Sequence, residues 1–259
     1  MTRFSHFALI GTLVTALALT AAAAQPAGGN KTGFIDYVYK GPEAKDGLSK
    51  YVVFVPHDYK GDKEYPCILF LHGAGESGAD GKKQVGVGLG KAIKAREKKG
   101  FPFITIFPQS NPRGWAANSG PGKTALAILA EVRKNYKVDP SRIYLTGLSM
   151  GGGGTWSLAV AHPEIWAAIV PICGTASVKA TDMEKIKDLP CWVFHGDADP
   201  TVKVTVSRDL VAALKKAGAD VKYDEFPGVG HNSWDRAYAK DELYTWLLAQ
   251  SKNTSKAAR

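Results

Sequence analysis

Three residues in fixed chain order, Ser149, Asp199 and His231, are the ones in this sequence best suited to do chemistry. Ser149 sits in Gly147-Leu148-Ser149-Met150-Gly151, directly after the apolar run Arg142-Ile143-Tyr144-Leu145-Thr146. This is a G-x-S-x-G pattern. A serine that attacks a carbonyl must stand clear of a sheet, on a sharp turn between a strand and a helix. Glycines on either side remove the Cβ atoms that such a turn would drive into neighbouring backbone. The N–H of Met150 would then face a developing oxyanion. The pattern is short and common, so its meaning rests on an acid and a base downstream, in that order.

The base candidate is His231, in the glycine-rich stretch Phe226-Pro227-Gly228-Val229-Gly230-His231 after the last β-like run. The acid candidate is Asp199, in His195-Gly196-Asp197-Ala198-Asp199-Pro200. Asp197 is the competitor, better placed to bind local backbone N–H groups in the turn. An aspartate that accepts Nδ1–H from a histidine fixes its tautomer and stabilises the imidazolium. A second oxyanion donor is expected from the loop Leu71-His72-Gly73-Ala74-Gly75, with the N–H of Ala74 the candidate and Gly73 the alternative. Trp115 and Asn118 are candidates for lining the acyl or leaving-group pocket, with loop packing as the alternative reading.

Other patterns fall away on spacing. Gly120-Pro121-Gly122-Lys123-Thr124 looks like the end of a P-loop, but Ala117 stands where that motif needs its first glycine. Gly86-Val87-Gly88-Leu89-Gly90 lacks the G-x-G-x-x-G spacing. No HExxH or CxxC occurs, so neither a metal nor a cofactor is expected. The formal charge of +9 is spread over the chain without a basic stripe interleaved with aromatics, which gives nucleic-acid binding no support. Cys67, Cys173 and Cys191 each sit at the edge of an apolar run and read as small buried hydrophobes, with one disulfide the alternative.

Positioning these residues requires a sheet. Eight β-like runs fall at 34–39, 51–55, 67–71, 103–107, 143–148, 168–172, 192–195 and 221–226. From the third onward most are continuously apolar, as in parallel strands covered on both faces. The first two precede any helical pattern and read as an antiparallel start. Helical patterns occupy 91–98, 124–136, 152–161, 182–187, 204–217 and 234–250. This alternation predicts an α/β fold with a mostly parallel, eight-stranded sheet flanked by helices. The short stretch between Gly174 and Trp192 leaves no room for a large cap domain. Residues 1–24 carry Arg3, an apolar core over 7–19 and Ala22-Ala23-Ala24, the pattern of a cleavable export leader. A catalytic domain over 25–250 and a polar tail over 251–259 complete the expected organisation. The mature form is expected to be exported, periplasmic or secreted, without a membrane span.

Taken together, LHGAGESG (71–78), IFPQ (106–109), SRIYLTGLSMGGGGTW (141–156), VPICG (170–174), FHGDADPTV (194–202) and FPGVGHNSW (226–234) resemble the α/β-hydrolase superfamily. The closer resemblance is to exported bacterial esterases in the dienelactone-hydrolase, polyhydroxybutyrate-depolymerase and feruloyl-esterase group. Some similar proteins are described as peptidases of prolyl-oligopeptidase type. The resemblance implies a serine carboxylesterase acting through an acyl-Ser149 intermediate on a small-molecule or polymer-borne ester, such as acetyl or feruloyl groups on polysaccharide. A dienelactone hydrolase of the cysteine type would carry Cys where this chain has Ser149. A peptidase using the same three residues, and a non-catalytic carbohydrate-binding protein on this scaffold, are the alternatives.

Overall fold

All seven residues of Tyr65–Leu71 are buried, and their side chains divide between two cores. Cys67, Leu69 and Leu71 join one hydrophobic cluster while Ile68 and Phe70 join another. A strand with two apolar faces needs helices on both sides, and the computed structural model supplies them. It describes Met1 and residues 31–96, 100–175 and 177–252. The expected leader, apart from Met1, and residues 253–259 of the expected tail lie outside the described residues.

The strands are β1 (Gly33–Lys40), β2 (Leu48–Val55), β3 (Tyr65–Leu71), β4 (Ile104–Pro108), β5 (Val138–Leu148), β6 (Ala168–Ile172), β7 (Cys191–Gly196) and β8 (Val221–Phe226). They form one sheet in the order β1-β2-β4-β3-β5-β6-β7-β8. β1 pairs antiparallel with β2, and β2 antiparallel with β4. All remaining pairs are parallel. The predicted class and the antiparallel start are both realised. Helices α2 (Gly120–Asn135), α3 (Met150–Ala161) and α4 (Thr205–Lys216) contribute to the core on one face. Helices α1 (Leu89–Arg96), α5 (Ser233–Ala239) and α6 (Asp241–Leu248) contribute to the core on the other. No described helix is long and apolar enough to cross a membrane.

From β3 the chain winds outward to β4, and from β5 it winds the other way. The order therefore reverses between β3 and β5, and the carboxyl ends of those strands flank the crevice where open α/β sheets bind ligands. Leu71 lies opposite Gly147 in the β3–β5 register, which brings the His72–Ala74 loop alongside Ser149. The described part of the link from Ile172 to Cys191 holds a 3₁₀ helix, Ala180–Ile186, where the sequence predicted a short helix over 182–187.

Two other departures have local causes. α2 starts at Gly120, ahead of the predicted 124, because Ser119 Oγ accepts the Gly122 N–H at 3.2 Å and Pro121 suits the first turn. The P-loop-like segment is therefore a capped helix start. The segment predicted as one helix over 234–250 is two, broken at Lys240, whose ψ of 120° is extended. At that break Arg96 Nη2 donates to the Ala239 carbonyl at 2.6 Å and to Asp241 Oδ1 at 2.8 Å. Lys240 Nζ donates to Asp224 on β8 at 2.6 Å. Cys67, Cys173 and Cys191 are free and buried.

Ser119→Ala removes the cap of α2 and should cost about 1 kcal/mol, seen as a lower urea midpoint with unchanged slope. An unchanged midpoint would show that Pro121 alone sets this helix start.

Candidate active site

β5 ends at Leu148 and α3 begins at Met150, leaving Ser149 alone on the turn with φ 54° and ψ −116°. A serine in that region costs about 1–3 kcal/mol and persists only where its surroundings enforce it. Here the Ser149 N–H donates to Ile172 O at 2.9 Å, and its carbonyl accepts from Gly153 N at 3.0 Å and Thr175 N at 3.3 Å. The glycines predicted to make room do so by close approach. A Cβ on Gly151 would overlap the Leu71 carbonyl, and one on Gly147 would overlap the Gly151 carbonyl.

The structure brings the three predicted side chains into line. Ser149 Oγ lies 2.9 Å from His231 Nε2, and His231 Nδ1 lies 2.7 Å from Asp199 Oδ2. A carboxylate only accepts, so Nδ1 carries the proton and Nε2 is free to accept from the serine hydroxyl. The Asp199 side chain is fully buried, while that of His231 is 22% exposed. Burial by itself raises the Asp199 carboxyl, but hydrogen bonds from His231 and from the N–H groups of Val202 and Thr201 outweigh it. They hold the carboxyl below its ordinary value.

Asp197 is elsewhere employed. Its Oδ1 accepts the Gly228 N–H at 2.7 Å, tying the Asp199 loop to the His231 loop. Ala198 N adds a bond to Val229 O at 3.1 Å. Cys173 Sγ donates to the carbonyl of His231 at 3.4 Å, and burial pushes its thiol up to about 12. Cys173, Asp199 and His231 are the one set of metal-ligand types clustered within 4.8 Å among the described residues. The Asp199 and His231 atoms of that set are already bonded to each other.

Ala74 opens a 3₁₀ turn, Ala74–Glu76, and Met150 opens α3. The first N–H groups of a helix lack intrahelical acceptors, so the N–H groups of both residues stand at helix starts beside the Ser149 turn. The loop carrying Ala74 is held from below. His72 is fully buried and donates from Nδ1 to Gly73 O at 2.6 Å, while its Nε2 accepts from Ser110 N at 3.0 Å. Gln109 accepts the Gly81 N–H at 2.6 Å and donates to Glu76 O at 2.8 Å.

Trp115 is 2% exposed and does not face an open pocket. Its indole N–H donates to His72 O at 3.0 Å, its ring meets the His72 imidazole edge-on at 4.9 Å, and its Cβ packs where Gly154 lacks one. It is a strut beneath the loop, the packing alternative of the sequence reading. Asn118 is exposed on the turn before α2. His72 and Gln109 fall in the segments LHGAGESG and IFPQ without a role assigned to them there, and Ser110 lies just beyond the second. Their only signal was position, at the ends of the apolar runs that become β3 and β4.

Residues 44–245 match the model of the dienelactone hydrolase family. Over 167 residues the chain is 28% identical to a probable feruloyl esterase C of Aspergillus terreus, covering 64% of this chain and 60% of that protein. Over 145 residues it is 26% identical to the putative esterase NocK of Nocardia uniformis subsp. tsuyamanensis, covering 52% of this chain and 40% of the relative. The chain thus spans less than two thirds of the length of these curated relatives. The crystal structure of a thermostable esterase superposes with a TM-score of 0.77 at 36% identity, over 85% of this chain and 63% of that one.

Burial lowers His72 to about 4, against a smaller upward pull from the Gly73 carbonyl. The unfolded chain takes up this proton near pH 6.5, whereas the folded protein refuses it until about pH 4. Acid therefore favours the unfolded state, and stability falls as pH drops through that window, by up to about 3 kcal/mol from His72. The urea midpoint should be lower at pH 5 than at pH 7, and His72→Gln should flatten part of the fall. A midpoint independent of pH over this range would refute the buried neutral imidazole.

Proposed function

The chain belongs to the dienelactone hydrolase family, and we propose that it is a serine carboxylesterase. The observation that carries this reading is the unbroken line from Ser149 Oγ to His231 Nε2 at 2.9 Å and from His231 Nδ1 to Asp199 Oδ2 at 2.7 Å. In this reading His231 takes the hydroxyl proton as Ser149 Oγ attacks the ester carbonyl. Negative charge gathers on the former carbonyl oxygen and meets the N–H groups of Ala74 and Met150, fixed before the reaction begins. The tetrahedral intermediate collapses, His231 returns the proton to the departing alcohol, and the acyl group stays on Ser149. Water, deprotonated by His231, then releases the acid and restores the serine.

The strained turn supports the role given to Ser149, because it holds Oγ away from the helix that follows. The short Ile172–Cys191 link supports an open site, suited to esters borne on a polymer. The feruloyl esterase relatives support feruloyl esters as the ester class, which we extend to acetyl or feruloyl groups on a polysaccharide. The leader-like residues 1–24 fit an exported protein that meets such polymers outside the cytoplasm.

Turnover of p-nitrophenyl acetate should exceed that of a peptide p-nitroanilide; the reverse order would favour a peptidase on the same residues. A fluorophosphonate probe should label the folded protein at Ser149 and fail to label Ser149→Ala. Ser149→Ala should lower kcat by at least about 10⁴-fold and Asp199→Asn by about 10⁴-fold, with Asp197→Asn far milder. Full activity in Ser149→Ala, or equal losses at both aspartates, would sink the assignment concerned.

A further inference from the structure

The Asp199 carboxylate is shared between two imidazoles. Its Oδ1 accepts backbone N–H groups from Thr201 at 2.8 Å and Val202 at 3.0 Å. Its Oδ2 accepts from His231 Nδ1 at 2.7 Å and also lies 3.2 Å from His195 Nε2. His195 is the next-to-last residue of β7, fully buried, and has no part in the proposed proton transfer.

The tautomer of His195 follows from its partners. Nε2 lies 3.0 Å from the Val202 carbonyl, which can only accept, so Nε2 carries a proton aimed at Val202 O and Asp199 Oδ2 together. Nδ1 lies 2.7 Å from Ser207 Oγ on α4, a residue 1% exposed. The ring stays neutral because burial, the largest influence, lowers its pKa despite the upward pull of Val202 O and Asp199. Nδ1 is therefore an acceptor and the Ser207 hydroxyl its donor. The opposite tautomer would turn a lone pair toward a carbonyl and a carboxylate at once. Ser207, His195, Asp199, His231 and Ser149 thus form one chain in which each hydrogen bond has a fixed direction.

We infer that His195, locked by Ser207, is a positioning residue that aims Asp199 Oδ2 at His231 and takes up part of its negative charge. This rests on the proposed roles of Ser149, Asp199 and His231. Without His195 the oxygen has only His231 as a side-chain donor. The carboxylate gains freedom to turn about its remaining bonds, and its undivided charge stabilises the His231 imidazolium more strongly. Both consequences reach the serine through His231, and neither touches substrate.

The other titratable or charged groups around His195 are few. Glu225 lies opposite it in the β7–β8 register and is paired with Arg208 and the Tyr223 hydroxyl. Cys173 faces Asp199 and His231 from the end of β6, with its thiol pushed up to about 12. Neither changes charge between pH 5 and 9, because the Arg208 and Tyr223 hydrogen bonds hold the Glu225 carboxyl at about 2.

The test is the pH dependence of kcat/KM and kcat on p-nitrophenyl acetate for His195→Phe, His195→Gln and Ser207→Ala. Each variant is first checked for folding by its melting temperature. His195→Phe should lose about ten- to hundredfold in kcat, the scale of one hydrogen bond to a charged group, with KM little changed. Its acid limb should move to higher pH. His195→Gln places an amide donor near the Nε2 position and should recover most of the loss and the original limb. Ser207→Ala should shift the limb in the same direction by less, and serves alone if His195→Phe does not fold. Nitrogen-15 shifts of the histidine-labelled wild type should show His195 protonated at Nε2. A limb that stays put in folded His195→Phe or Ser207→Ala, or an Nδ1-protonated His195, overturns the inference. Failure of the underlying reading looks different: Ser149→Ala and His231→Ala would then retain wild-type turnover.

Discussion

Where α3 leaves β5, its first turn passes so close to the end of β3 that a methyl group on Gly151 would overlap the Leu71 carbonyl. This crossing constrains the whole site. It forces Ser149 into a positive φ, and it fixes how far β3 can stand from β5. The loop that follows Leu71 is thereby carried alongside the turn that holds Ser149. The strain is held by bonds that any residue at 149 would make, since they use only its backbone N–H and carbonyl. The side chain is left free to project, and the conformation belongs to the scaffold.

Around this crossing the protein buries more polar groups than the sheet alone requires, and nearly all are matched. His72, Gln109 and Ser110 lace the Ala74 loop to the end of β4, and Trp115 braces it from beneath. His195 and Ser207 do the same for Asp199 from β7 and α4. A buried polar group left unmatched is costly, so each such network has one preferred arrangement and resists displacement. The site therefore sits on rigid strand ends, with its mobile-looking glycine-rich loop pinned by Asp197, Ala198 and Cys173.

The far edge of the sheet follows different rules. β8 is only partly buried, and its polar residues are held by side-chain pairs: Lys222 stacks over Trp192, Asp224 takes the Trp192 indole N–H and Lys240, and Glu225 takes Arg208. Charged side chains on an edge strand hinder pairing with other chains. At the helix break, Lys240 reaches Asp224 on β8 while Arg96 of α1 takes the Ala239 carbonyl, contacts that the apolar periodicity of 234–250 could not reveal. A hydrophobic pattern reports which face is buried and is silent about a carbonyl captured by a distant arginine.

The sequence by itself marked the eight strands, most of the helices between them, the serine on its glycine-flanked turn, and Asp199 ahead of Asp197 as the acid candidate. These follow from local chemistry: apolar runs seek burial, glycines admit close backbone, and chain order restricts which acid and base can follow a nucleophile elbow. Only the tertiary structure decided that Trp115 is a strut, that His72 and His195 are buried neutral rings with fixed tautomers, and that the P-loop-like segment is a capped helix start. The helix start turns on a local cap, Ser119 to Gly122, but the roles of the tryptophan and the two histidines depend on a partner elsewhere in the chain or on which side of a ring faces it. Ser110 stands 38 residues from His72, and Ser207 stands 12 residues from His195, across the loop after β7 in the first turn of α4. Single residues of ordinary type reveal such roles only when the fold brings their partners within hydrogen-bonding distance.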